Sequence, residues 1–189
     1  MQSKAPFAIA EYESRLAKTR TAMAKAGLDA IFVTDPSNQA WLTGYDGWSF
    51  YVHQGVIVTA EGPPIWWGRH MDMLGGRRTC WMDHAQIIGY GDHFVQSTEI
   101  HPMQHLAERL KEQGLERARI GVEMENYYYS AKAHAVLTTE LPNATLVDAT
   151  ALVNWQRLVK SDAEIGFIRK AALISEKVIQ TAIERAAPG

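Results

Sequence analysis

Six short apolar runs punctuate this chain, and their alternation with helix-spaced stretches restricts the fold class more than any other feature. The runs are Ala30 to Val33 (A-I-F-V), Gly55 to Thr59, Pro64 to Trp67, Gln86 to Gly89, Arg119 to Glu123 and Thr145 to Val147. Short apolar runs bounded by turn residues read as buried strands. Between them, Tyr12, Leu16 and Met23 recur at helical spacing until Gly27. Met103 to Gln113 and Ser130 to Leu141 are also helical, stopped by Gly114 and by Pro142-Asn143. Strands alternating with helices predict a layered α/β domain. The two runs flanking Glu61-Gly62-Pro63 are close enough for an antiparallel hairpin, so the expected architecture is a mixed β-sheet flanked by helices.

A chain of 189 residues can enclose one core, burying about 70% of its unfolded surface. Net charge −2 and a pI near 6.4 supply no electrostatic footprint for nucleic acid or an anionic membrane. No apolar stretch approaches the roughly 18 residues a spanning helix needs, and the opening M-Q-S-K-A-P-F-A-I-A has no signal-peptide pattern. Cys80 is the single cysteine, which excludes an intrachain disulfide and a thiolate metal cluster. It reads as a reduced, half-buried residue of a cytoplasmic protein.

The C-terminal stretch has a different character. Ser161 and Glu164 form a capping box, after which a long helix runs toward Pro188-Gly189. Its apolar side chains make two adjacent stripes: Ile165, Ile168, Ala172, Ile179, Ile183 and Phe167, Ala171, Ile174, Val178, Ala182. One stripe is the norm for a surface helix. Two call for cover on more than one side, either by the helix's own domain or by another copy of the chain. The division expected is 1–158 for the α/β domain and 159–189 for a linker and the first helix of a further domain.

The same stretch, R-x-x-K-S-x-x-E-I-x-x-I-R-x-A-A from Arg157, resembles the entry to the catalytic domain of the pita-bread hydrolases: creatinase, prolidase, aminopeptidase P and their relatives. Upstream, Glu11-Tyr12, Arg15-Leu16, Met23 and G-L-D-A-I-F-V-T-D-P-S-N-Q-A-W-L-T-G-Y from Gly27 to Tyr45 resemble the creatinase-type N-terminal domain. Within that family, Trp41 to Gln54 is most similar to ectoine hydrolases and next to creatinase. The resemblance implies a non-catalytic N-terminal domain of a hydrolase acting on a C–N bond of a small substrate. It also implies a homodimer, and no cofactor within this chain. The family's carboxylate and histidine metal ligands, and any divalent metal they hold, belong to the pita-bread domain beyond Gly189. The chain alone should therefore not hydrolyse ectoine, creatine or Xaa-Pro dipeptides. Two other readings stand beside this one: the N-terminal domain of a peptidase of the aminopeptidase P or prolidase kind, and a stand-alone interaction module. The latter has a counterpart in a histone-chaperone subunit that shares the fold without catalysis.

Other chemical signals are weak. His101 and His105 sit at i, i+4, but no acidic residue lies between them, and Pro102 suits a helix start better than a ligand frame. His70-x-Asp72 and Asp92-His93 are common turn pairings. Gly75-Gly76-Arg77-Arg78 lacks the phosphate-loop spacing and reads as a turn or frayed helix. No G-x-S-x-G elbow is present. Tyr127-Tyr128-Tyr129 reads as opening a helix and packing its base.

The stretch with the strongest functional claim is Tyr45 to Gln54, Y-D-G-W-S-F-Y-V-H-Q, where four aromatics mix with polar side chains just before a strand. Such mixtures suit small-molecule pockets, aromatic walls excluding water and polar tips fixing orientation. The alternative is an edge strand with Trp48 and Phe50 facing the core. In creatinase-type dimers the equivalent segment reaches over the neighbouring subunit's catalytic pocket. The resemblance thus implies substrate contact in trans by Phe50, His53 and Gln54, with Trp48 and Tyr51 shaping the wall. Ser49-Phe50 match creatinase's Ser-Phe, but Val52 stands where creatinase places a carboxylate-binding arginine, so the creatine contact is missing. On this reading, loss of His53 or Gln54 should spare stability, whereas Phe50→Ala should also cost packing.

Overall fold

The computed structural model describes residues 5–187. It divides into two compact units, with the break between Gln156 and Arg157. In the larger unit, all six expected strands form one sheet: β1 (Ala30–Val33), β2 (Gly55–Thr59), β3 (Ile65–Arg69), β4 (Ile87–Tyr90), β5 (Arg119–Val122) and β6 (Thr145–Asp148), in the order β4-β3-β2-β1-β5-β6. β1 and β3 run antiparallel to β2, whereas the β3–β4, β1–β5 and β5–β6 pairs are parallel. The β2–β3 pair is the hairpin expected around Gly62.

Because successive side chains alternate between faces, both faces of this sheet must be covered to bury such continuous apolar runs. Ala30, Phe32, Ile57, Trp67, Tyr90, Ile120 and Val122 pack on one face against α4 (Pro102–Glu112) and α5 (Ala131–Glu140), which contribute Met103, Leu106, Leu110 and Leu137. On the other face Ile31, Val33, Val56, Val58 and Trp66 meet α1 (Ile9–Lys25), α2 (Pro36–Thr43) and α3 (His70–Thr79), through Leu16, Met23, Trp41, Leu42 and Met73. The neighbours Trp66 and Trp67 thus anchor opposite layers.

Two helices occupy stretches where the sequence reads as a turn. Asp35-Pro36 is not only the end of β1: the Asp35 carboxylate accepts from Asn38 N–H at 3.0 Å as N-cap, and Pro36 takes the first position of α2. Gly75-Gly76-Arg77-Arg78 lies inside α3. Gly76 is buried, and a Cβ there would come within 2.9 Å of Ile87, so the missing side chain lets the helix lie close on the sheet. A short helix, α6 (Leu152–Leu158), follows β6.

Glu123, just past β5, ties these elements together. Its Oε2 accepts from the backbone N–H of Thr34 at 2.6 Å and of Asp35 at 2.7 Å, and its Oε1 from the Asn38 side-chain amide at 2.6 Å. Asn38 donates in turn to Asn154 at 2.8 Å. Burial pushes the Glu123 carboxyl upward, and these donors pull it back.

The second unit is built on α7 (Asp162–Arg185), and both halves of its expected capping box form: Glu164 N–H to Ser161 Oγ at 3.2 Å, and Ser161 N–H to Glu164 Oε2 at 2.9 Å. None of its side chains is buried, and Ile168, Ile174, Val178, Ile179 and Ile183 are exposed.

Candidate functional site

Tyr45 to Gln54 is an irregular loop between α2 and β2. It is not an edge strand, and Trp48, Phe50 and Tyr51 do not face the core. Its start is fixed by Gly44, the C-cap of α2, in the left-handed region at φ 79°. Tyr45 N–H then donates to Thr43 Oγ1 at 3.1 Å, and the Tyr45 ring lies buried against Trp66, with centroids 4.8 Å apart. Beyond this anchor the chain turns outward.

Burial within the loop reverses what residue type suggests. Phe50 is 78% exposed, Trp48 60% and Tyr51 59%, whereas Gln54 is only 2% exposed. Phe50 is therefore not a packed residue. Gln54 faces inward: its Oε1 accepts from the Tyr45 hydroxyl at 3.3 Å, and its Nε2 is buried without a partner. Val52 is buried too.

The exposed rings are held from outside the loop. Trp48 Nε1 donates to the Tyr128 hydroxyl at 2.8 Å, and its ring lies 6.0 Å from that of Phe50. The Tyr51 hydroxyl accepts from Arg69 at 3.5 Å, and Arg69 also makes a two-pronged pair with Asp92 at 2.7 and 3.1 Å. Those bonds hold the Asp92 carboxyl below the usual carboxylate range. Arg69 was not singled out in the sequence, and Asp92 and Tyr128 were read there only as part of a turn pairing and of a helix start, because all three reach the loop only through the sheet and the turn before α5.

His53 is half-buried. Its Nδ1 lies 3.4 Å from the Tyr128 carbonyl, and its own carbonyl accepts from the Tyr90 hydroxyl at 2.7 Å. Its ring sits 4.9 Å from that of His101. Burial lowers the pKa of His53; burial, then His53 and Lys132, lowers His101 to about 4. Both rings line a cavity of about 130 Å³ with Tyr51, Tyr90, Gln96 and Ser97 among its walls.

The histidine pair at 101 and 105 does not frame an ion. His101 Nδ1 caps α4, accepting from Met103 N–H at 3.2 Å, and Gln104 completes a capping box, consistent with Pro102 as a helix start. His105 Nδ1 accepts from Trp67 Nε1 at 2.9 Å. Among the described residues, no group of three or more His, Cys, Asp or Glu could hold a metal ion. Cys80 is fully rather than half buried, and burial pushes its thiol up to about 12. The tyrosine triplet divides: Tyr129 is buried and meets His134 at 3.1 Å, Tyr128 holds Trp48, and Tyr127 is exposed. No helix among the described residues is long and apolar enough to cross a membrane.

Residues 15–159 match the creatinase/prolidase N-terminal domain. The chain belongs to that family. It is 50% identical over 190 residues to ectoine hydrolase from Halomonas elongata, an alignment covering 100% of this chain and 48% of that protein. An uncharacterized hydrolase/peptidase of Sinorhizobium fredii is 40% identical, over 97% of this chain and 47% of the relative. The chain thus spans about half the length of these curated relatives. The crystal structure of dipeptidase PepE from Mycobacterium ulcerans superposes with a TM-score of 0.71 at 23% identity, covering 97% of this chain and 46% of that one. This likeness concerns the fold.

Proposed function

We propose that this chain is the N-terminal part of a hydrolase that opens a C–N bond of a small cyclic amidine, as an ectoine hydrolase does. The observation that carries the reading is the exposed Trp48–Tyr51 aromatic loop, on a chain half identical to an ectoine hydrolase along its whole length. Large rings held out in water forgo about 1.5–3 kcal/mol each relative to burial. A loop that fixes them there through Tyr128 and Arg69 is shaped to meet something. In this proposal the protein is a cytoplasmic homodimer, and the loop covers substrate bound by the other subunit's catalytic half. Phe50, Trp48 and Tyr51 form the apolar wall, and His53 supplies the polar contact. Gln54 acts from inside by holding Tyr45 and hence the loop's base. Any divalent metal belongs to the catalytic half. Val52 argues against creatine, since a buried valine offers no cation to a carboxylate.

The test is a substrate panel on the full-length protein, with products followed by NMR. Opening of ectoine, with creatine and Xaa-Pro dipeptides untouched, supports the assignment. Cleavage of Xaa-Pro dipeptides alone would replace it with a peptidase.

A further inference from the structure

We propose that His53 and His101 form a donor–acceptor pair that binds an amide-type group, O=C–N–H, in the cavity beside the aromatic loop. The hydrogen bonds of the two rings assign their neutral forms. The Tyr128 carbonyl can only accept, so His53 Nδ1 carries the proton and Nε2 keeps a lone pair. Met103 N–H can only donate, so His101 Nδ1 carries the lone pair and Nε2 the proton. Among the described residues, no hydrogen bond from the protein engages either Nε2. Two rings 4.9 Å apart thus offer one acceptor and one donor, the complement of an amide edge.

The remaining groups favour a neutral ligand. His101 stays unprotonated down to about pH 4, so the complementary tautomers persist at neutral pH. Lys132 acts on His101 from α5, while Arg69 and Asp92 beside Tyr51 neutralise each other. A cavity of about 130 Å³ has room for four non-hydrogen atoms, given about 30 Å³ for each liquid water. Gln96 in its wall has a left-handed backbone, φ 54°, a conformation that tends to gather at binding sites. The natural ligand rests on the function proposed above: water adding to a cyclic amidine carbon and opening one ring C–N bond leaves an amide and an amine. His101 is then a specificity residue that acts beside His53.

The experiment titrates acetamide into the ring-labelled 189-residue chain and follows histidine ring resonances by NMR. It needs no catalysis, so its outcome is independent of the substrate panel. Saturable shifts at both His53 and His101 are expected. His101→Asn keeps an oxygen where Nδ1 caps α4 but deletes the Nε2 donor; His53→Asn keeps an N–H toward Tyr128 but deletes the Nε2 acceptor. Each should weaken acetamide binding roughly tenfold while leaving the melting temperature nearly unchanged. Acetate binding more tightly than acetamide would mean that Lys132 makes this an anion site. That result, non-saturable shifts, or unchanged affinity in both variants would overturn the proposal.

Discussion

Two neighbouring loop residues should exchange the roles their chemistry suggests. Phe50→Ala removes a large apolar side chain that is 78% exposed, so the stability change should stay within about 0.5 kcal/mol. For a chain of this size that is about 1–2 °C in Tm. Gln54→Ala removes a side chain that is 2% exposed and the acceptor of the buried Tyr45 hydroxyl. Leaving that hydroxyl unpaired costs about 1–3 kcal/mol. The vacated space adds to this, and loss of the already unpartnered Nε2 offsets part of it. A net loss of about 2 kcal/mol corresponds to about 4–8 °C. Calorimetry on the two variants measures the contrast. In the full-length protein, Phe50→Ala should then lower kcat/KM by more than about tenfold, or about 1.4 kcal/mol of transition-state binding. If Phe50→Ala melted as low as Gln54→Ala, or retained wild-type kcat/KM, the assignment of the loop would be wrong.

The buried carboxylate of Glu123 should not tolerate an amide. Donors engage both its oxygens, so either orientation of Gln in Glu123→Gln sets an NH₂ against a donor, costing about 1–3 kcal/mol in denaturant unfolding. An unchanged midpoint would refute the network. Cys80, buried and with its thiol pushed up to about 12, should resist a thiol reagent until the protein unfolds. Labelling of the native protein at the rate of a free thiol would contradict this. Lastly, His101 titrates at about 4 when folded against 6.5 as its reference value. A depressed histidine contributes stability above pH 6.5 that is lost as pH falls toward 4, because the unfolded chain takes up the proton first. His101→Asn should therefore flatten the fall in Tm between those values; an unchanged slope would show that the ring is not held neutral.

The strands were legible because each is a short apolar run with both sheet faces covered, so burial appears directly in composition. The helix cap at Ser161 was legible because a capping residue acts within one turn. What failed to show depends on distant partners. Gly76 reads as a breaker until Ile87 is seen to need its missing Cβ. Asp35-Pro36 both ends a strand and starts a helix, and local sequence carries the two signals identically. In the loop, W-S-F alternates as an edge strand would, and nothing local says that Tyr128 and Arg69 hold the rings outward. The inward turn of Gln54 is set by Tyr45 and was invisible for the same reason. His101 and His53 lie far apart in sequence, so the spacing of His101 pointed instead to His105, which bonds to Trp67.

The most direct test of the central claim, that this domain's aromatic loop serves substrate held by another subunit, is activity of mixed dimers. One full-length variant carries Phe50→Ala with His53→Ala; the other keeps the loop but has an inactivated catalytic half. Each alone should be nearly inactive. After dissociation and re-pairing, half of the dimers are mixed and each holds one complete site, so about a quarter of wild-type activity should return. Activity that stays at the sum of the separate variants would show that the loop does not act across the dimer.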